Sequence, residues 1–411
     1  MKRILFVDDE TNVHDGIRRM LYASRNSWDI KFAASAEAAL QACEADSFDA
    51  VITDMLMPGM DGATLLGHVR DRYPSTTRVL LSGYIAGYLE TRALAVAHRF
   101  LLKPCGESEL RTTIERLFSL QDLLSSAEIR RIVGTDRELP SLSTTYSRLA
   151  QAVMDASTSN RQVTDIIQED AAMPAKILQL TNSGFFGLSR GVTNISGAID
   201  SLGMETVKNL ALIFEAFRVF EKDSRIPPPV YDSIQRHSFE TAAIAGALPV
   251  KRGIRKVTVV AALLHDIGSL FLASRMPDQF NSVHLLANET GRQPYQVEEE
   301  LLGVSHAEIG AYLLRSWGIP NVAVEAIAHH HHPARIHHSE FDCSVAVYVA
   351  DLLAREPEGD PEDSKKLEIA ECDRVCLDTL GVLHSLDEFR ELAQANLRQT
   401  VHNSSQFFSD N

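Results

Sequence analysis

Three aspartates, a serine and a lysine stand where a chain could carry out phosphoryl chemistry. Asp8 and Asp9 follow the apolar run Ile4-Leu5-Phe6-Val7, and Asp54 follows Val51-Ile52-Thr53. Ser82 follows Arg78 to Leu81, and Lys103-Pro104 follows Arg99 to Leu102. Clustered carboxylates repel and raise one another's pKa. A hard divalent cation relieves that repulsion, and Mg2+ suits a few carboxylates plus water and phosphate oxygens. An aspartate can take a phosphoryl group covalently. A cation and a lysine would neutralise the charge on the transferring group, and a hydroxyl could then hold a phosphate oxygen. Asp54 is the expected acceptor. Taken singly, each acid reads equally as a helix N-cap or a solvated loop residue. That reading is far weaker when all five polar groups close strands.

A second set begins further on: His237, the pair His265-Asp266, His306, the run His329 to His332, and Asp351. Imidazoles and carboxylates carried on separate helices can meet in a bundle core, which is how helical proteins build two-metal sites. A lone histidine in a helix is usually a satisfied core or surface residue. The run His329–His332 also reads as a solvated helix end favoured by the helix dipole. The pair within Leu264-His265-Asp266-Ile267-Gly268 is harder to dismiss, because buried polar groups need partners. Neighbours on a helix point about 100° apart, so both reach one cluster only if it lies between their directions.

Strand-like runs alternate with helical ones through the first 120 residues. Strands are predicted at Ile4–Val7, Ile30–Ala33, Val51–Thr53, Arg78–Leu81 and Arg99–Leu102, with helices between and after them, one at Gly87–Ala97. Five such βα units predict an α/β fold, a doubly wound five-stranded parallel sheet of flavodoxin-like type. In that sheet the carboxyl ends of all strands share one edge. Leu110, Ile114, Leu117, Gln121 and Leu124 then repeat at four and three. The repeat reads equally as a short coiled-coil linker or as one amphipathic helix docked on its own domain. From residue 138 no period-two pattern appears and apolar residues recur at helical spacing, which predicts an all-α domain. The expected boundaries are 1–120, a linker 121–137, a helical domain 138–355, and a helical extension with a polar tail, 356–411. Pro227-Pro228-Pro229 is expected to form a stiff loop, and no chemistry is expected in the extension.

Composition narrows the class. The net charge of −15 argues against nucleic-acid or membrane-surface binding. Five scattered cysteines form no disulfide or zinc-finger spacing, which fits a reducing cytoplasm. The opening Met1-Lys2-Arg3 leads into only four apolar residues and then two acids, a strand and not a signal peptide. The apolar stretch Val257–Ala273 is interrupted by His265 and Asp266 and is short for a bilayer. A soluble cytoplasmic protein is expected.

Residues 1–120 resemble the receiver domain of two-component response regulators through Asp8-Asp9, Asp54 with Met57-Pro58-Gly59, Asp61-Gly62, Ser82-Gly83 and Lys103-Pro104. The resemblance implies Asp54 as phospho-acceptor. It implies Asp9, Asp54 and the Leu56 carbonyl as Mg2+ ligands, with Asp8 as an outer acid. Ser82 would be the switching hydroxyl, Lys103 the phosphate partner and Phe100 the switching aromatic. Leu56, two past the acceptor, is apolar where a polar side chain could assist hydrolysis, and should affect phosphate lifetime. A sensor histidine kinase or phosphotransfer protein is the implied upstream partner.

Residues 138–335 resemble the HDOD family, relatives of HD-type phosphohydrolases. The likeness runs through Leu139-Pro140-Ser141-Leu142, Ile177 to Gly187, Ile195 to Gly203, Leu264 to Gly268 and Ser305 to Ala311. It implies a non-catalytic signalling output acting on a downstream protein, with a homodimer as one assembly. The chain is also similar to HD-GYP cyclic-dinucleotide phosphodiesterases at His237, His265, Asp266, His306, a His pair within 329–332 taken to include His330, and Asp351. That similarity implies a second metal site, of Fe, Mn or Zn type, and the alternative of a metal-dependent phosphodiesterase under receiver control. Two departures favour the non-catalytic output. Ser269 stands where those enzymes carry Lys, and Pro333-Ala334-Arg335 replaces their Gly-Tyr-Pro loop.

Overall fold

The computed structural model describes residues 1–24, 26–73, 76–82, 96–134, 140, 142–155, 157–188, 191–251, 253–356 and 369–404. The expected helix at Gly87–Ala97 falls almost wholly outside these residues, as do Gly83, Leu139 and Ser141. The side chain of Phe100 also lies outside what is described. The chain divides into two compact units, Met1–Gln121 and Asp122–Asn411.

The first unit holds β1 (Lys2–Val7), α1 (Thr11–Met20), β2 (Trp28–Ala33), α2 (Ala36–Ala45), β3 (Ala50–Asp54), α3 (Gly62–Arg72), β4 (Thr77–Ser82), β5 (Arg99–Leu102) and α4 (Glu107–Leu124). The strands form one parallel sheet in the order β2-β1-β3-β4-β5. Side chains alternate across a strand, and both faces of this sheet are buried. Leu5, Val7, Val51 and Leu80 pack with Ala39, Leu65 and Val69 on one face. Ile4, Phe6, Ile52, Val79 and Leu81 pack with Ile17, Leu110, Ile114 and Leu117 on the other. The first half of the predicted linker repeat is therefore spent on its own domain's core.

The second unit is all-α. It runs through α5 (Ala127–Val133), α6 (Thr144–Met154), α7 (Asn160–Gln168), α8 (Met173–Asn182), α9 (Ile195–Leu202), α10 (Met204–Glu221), α11 (Pro228–Ala247) and α12 (Arg255–Leu264). It continues with α13 (Ile267–Arg275), α14 (Pro277–Thr290), α15 (Pro294–Leu302), α16 (His306–Ser316), α17 (Asn321–Ala328), α18 (Cys343–Ala354), α19 (Glu371–Thr379) and α20 (Val382–Ser404). Helix α12 is the axis, buried from Thr258 to Leu264 and packed against α11, α17 and α18. The segment Arg255–Arg275 is long and apolar enough to cross a membrane, yet most of it is buried inside the protein.

Two local expectations change. Pro228 and Pro229 open α11 rather than forming a loop. Proline is well placed in a first turn, where its missing N–H would have no partner. The predicted single helix through His265-Asp266 is broken there: α12 ends at Leu264 and α13 starts at Ile267.

Candidate functional site

Asp8, Asp54, Ser82 and Lys103 meet at the carboxyl edge of the first unit's sheet. The register sets Val7 beside Thr53, Asp54 beside Leu81 and Ser82 beside Leu102, so four strand ends finish level. Lys103 Nζ lies 2.5 Å from Asp54 Oδ1 and 2.7 Å from Asp8 Oδ2. Asp8 Oδ1 accepts the Glu10 N–H at 3.0 Å, and Asp54 Oδ2 accepts the Leu56 N–H at 2.9 Å. Partial burial opposes the Lys103 charge, but the hydrogen bonds to Asp54 and Asp8 outweigh it and raise the ammonium above its usual value. Asp8 and Ser82 are buried, while Asp9 and Leu56 are exposed at the rim. Gly62 is a packing requirement here. A Cβ at that position would sit 2.0 Å from the Asp54 carbonyl oxygen. Asp61 caps α3 by accepting the Thr64 N–H at 2.7 Å.

The second constellation lies in the helical unit. His237 comes from α11, and His265 and Asp266 from the break between α12 and α13. His306 opens α16, His330 and His331 follow α17, and Asp351 comes from α18. These side chains form two groups: His237, His265 and Asp351; and Asp266, His306, His330 and His331. Within each group the donor atoms lie within 4.8 Å of one another. The helix break is what lets neighbouring His265 and Asp266 serve different groups. Sequence periodicity alone could not show it, since the run is apolar on both sides. Gly268 brings the groups together: a Cβ there would meet the His306 carbonyl oxygen at 2.0 Å and the Gly310 nitrogen at 2.8 Å. Only glycine permits so close an approach of α13 to α16.

Hydrogen bonds fix the tautomers. His265 Nδ1 and His330 Nδ1 each face a helix carbonyl at 2.7 Å, Ala262 O and Ile327 O. A carbonyl only accepts, so both Nδ1 atoms carry a proton and both Nε2 atoms point inward. Neither Nε2 has a hydrogen-bond partner, and both are buried. His306 Nδ1 faces Glu298 Oε2 at 2.7 Å, and its Nε2 lies 3.1 Å from Asp266 Oδ1 and 2.9 Å from His331 Nε2. His237 Nε2 lies 2.8 Å from Asp351 Oδ1. Burial opposes charge on His306, but the Glu298 and Asp266 carboxylates prevail and raise it to about 10. Burial lowers His330 to about 4 and drives His331 well below its usual value. Burial also opposes charge on Asp266 and Asp351. Neighbouring His265 and Arg355, respectively, lead the groups that nonetheless hold both carboxyls well below the usual range.

Such inward-facing, unpartnered imidazole nitrogens beside two ionised carboxylates are a donor set suited to borderline transition metals. Carboxylate- or carbonyl-backed imidazoles are the usual support of such ligands. A cavity of about 680 Å³ opens over both groups, lined among others by His237, Asp266, His306, His331 and Arg355. His329 belongs to neither group. Sequence reasoning did not single out His331, Glu298, Tyr295 or Arg355. Tyr295 stacks on the His331 ring at 4.2 Å. The extension buttresses the turn that carries the histidines. Asp373 on α19 accepts the Ala334 N–H at 3.1 Å, just after the histidine run.

The profile of the response regulator receiver domain matches residues 4–115, and that of the HDOD domain matches residues 139–333. The chain carries an N-terminal receiver domain and a C-terminal HDOD domain. An uncharacterised protein of Treponema pallidum is 24% identical over 47% of this chain and 38% of its own length. The response regulator protein FleR of Pseudomonas aeruginosa is 31% identical over 34% of this chain and 27% of its own. The chain thus spans well under half the length of these curated relatives. A crystal structure from Shewanella amazonensis superposes with a TM-score of 0.51 at 23% identity, covering 67% of this chain and 99% of that one. That likeness speaks for the fold alone. The receiver–HDOD arrangement is that of a response regulator, and receiver domains interact with histidine kinases or phosphotransfer proteins and usually bind Mg2+.

Proposed function

We propose that this protein is a cytoplasmic response regulator phosphorylated on Asp54 by a histidine kinase in a phosphorelay, and that its HDOD domain acts by binding a downstream signalling protein. The observation that carries the reading is Lys103 held between Asp54 Oδ1 and Asp8 Oδ2 at the sheet edge. Asp9, Asp54 and the Leu56 carbonyl would hold Mg2+, which would neutralise the phosphoryl charge. Ser82 would take a phosphate oxygen once Asp54 is modified, and the change in charge would bias a two-state receiver surface. Labelling with acetyl phosphate and Mg2+ tests this: Asp54→Asn should take up no phosphoryl group. Equal labelling of the variant would remove Asp54 as acceptor.

We infer further that the HDOD domain holds a metal pair through His237, His265 and Asp351 on one side and Asp266, His306, His330 and His331 on the other. The unpartnered Nε2 atoms of His265 and His330 support it. When bound, such a pair can supply a Lewis acid and an activated water. The cavity over both groups favours a second reading, metal-dependent hydrolysis of a cyclic dinucleotide. Ser269 and Pro333-Ala334-Arg335 stand against it. Metal analysis followed by a turnover assay separates the two. Turnover lost in folded His265→Ala would overturn the non-catalytic reading.

A further inference from the structure

One cation is already present in the metal-ligand cluster. Arg355 closes α18 one turn after Asp351, and its Nη2 lies 2.6 Å from Asp351 Oδ2. The other oxygen of that carboxylate faces His237 at 2.8 Å and His265 at 3.6 Å. The same guanidinium lies 3.5 Å from His331 Nδ1, in the second group, and lines the cavity. Arg355 therefore touches a member of each group from the open side.

A dication among His237, His265 and Asp351 would share one carboxylate with this guanidinium. Like charges sharing one carboxylate in a partly buried site repel. An anion in the cavity relieves the conflict, because it can bridge the metal and the guanidinium. A phosphate group matches the planar two-donor edge of arginine. We propose that Arg355 is a built-in competitor for metal at this centre, and that a phosphate group entering the cavity draws it off Asp351. Metal and phosphate then bind cooperatively, each raising the affinity of the other by the same factor. The inference rests on the metal-pair reading above, and adds to it a ligand class and a regulating residue.

The test is Mn2+ affinity, read as free Mn2+ by electron paramagnetic resonance, on the full chain carrying Asp9→Asn to remove the receiver's cation site. It is measured with and without millimolar inorganic phosphate, and again with dimethyl phosphate. In the parent, phosphate should tighten Mn2+ binding at least about tenfold, about 1.4 kcal/mol. Arg355→Gln should bind Mn2+ at least about tenfold tighter than the parent without phosphate, and gain little when it is added. Arg236→Gln, on the same cavity wall, should behave as the parent. Melting in chelator checks that each variant is folded. A response to dimethyl phosphate as well identifies an esterified ligand; a response to inorganic phosphate alone identifies free phosphate, and both support cooperativity. Mn2+ binding that is unchanged in Arg355→Gln, or matched by Arg236→Gln, overturns the proposal while leaving the metal pair intact. No Mn2+ binding in any variant, Arg355→Gln included, overturns both.

Discussion

Gly268→Ala sets two effects of opposite sign against each other. Gly268 lies in the first turn of α13 and does not have a positive φ. By helix propensity alone, alanine there would stabilise by about 1 kcal/mol. Packing says the opposite. The new Cβ would lie 2.0 Å from the His306 carbonyl oxygen, where ordinary contact begins at 3.4 Å, so 3.4 − 2.0 = 1.4 Å must be found by moving one backbone from the other. Overpacking costs about 1–3 kcal/mol when side chains can adjust, and more when they cannot. We therefore expect a net loss of at least about 2 kcal/mol. The chain has two tryptophans, Trp28 in the receiver and Trp317 at the end of α16. In a Trp28→Phe background, urea unfolding followed by Trp317 fluorescence reports the helical domain. Gly16 is the control, a mid-helix glycine in α1 with nothing within 4 Å of a built Cβ. Gly16→Ala, read by Trp28 fluorescence in a Trp317→Phe background, should stabilise the receiver by up to about 1 kcal/mol. Unchanged or increased stability in Gly268→Ala would refute the close approach of α13 to α16, and with it the joining of the two ligand groups.

Other outcomes follow from the same geometry. Lys103→Met should cut phosphoryl uptake on Asp54 by at least about tenfold, since it removes the only cation within 2.7 Å of both Asp54 and Asp8 among the described residues; quantitative labelling checks it. In chelator, the helical domain should be most stable near pH 6.5 as far as two histidines decide. His306 is raised from 6.5 to about 10, so its contribution is full below 6.5 and lost as pH rises through 10. His330 is lowered from 6.5 to about 4, so its contribution is full above 6.5 and lost as pH falls through 4. Glu298→Gln should flatten the alkaline limb in melts against pH. Asp373→Ala should destabilise the helical domain by about 1–2 kcal/mol, because it strips the Ala334 N–H of its acceptor; a urea midpoint reads this.

Much of the receiver was legible because its signals are local. An apolar run ending in a carboxylate names both a strand and its functional end, and a parallel sheet gathers such ends without further information. The helical domain was legible in class and less so in detail. The identity of Asp351 and His237 as neighbours depends on α11 packing against α18, over a separation no periodicity reports. His331 was hidden inside a run of four similar residues, where only the chain's turn after α17 decides which imidazoles face inward. The split at His265-Asp266 was hidden for another reason. Both Thr258 to Leu264 and Ile267 to Phe271 are buried and mainly apolar, and no proline or glycine marks the joint itself. Nothing in the local sequence marks Glu298 or Arg355, which acquire their partners only through the fold.

The two inward nitrogens of His265 and His330 also decide how the empty centre answers substitution. A buried polar atom without a hydrogen-bond partner costs about 1–3 kcal/mol. Burial keeps His330 neutral, so His330→Leu should raise the melting temperature of the metal-free protein. His265→Leu should lower it, because His265 leads the groups that keep the buried Asp266 carboxyl ionised. Leucine therefore repairs one position and damages the other, although helix carbonyls hold the two imidazoles alike.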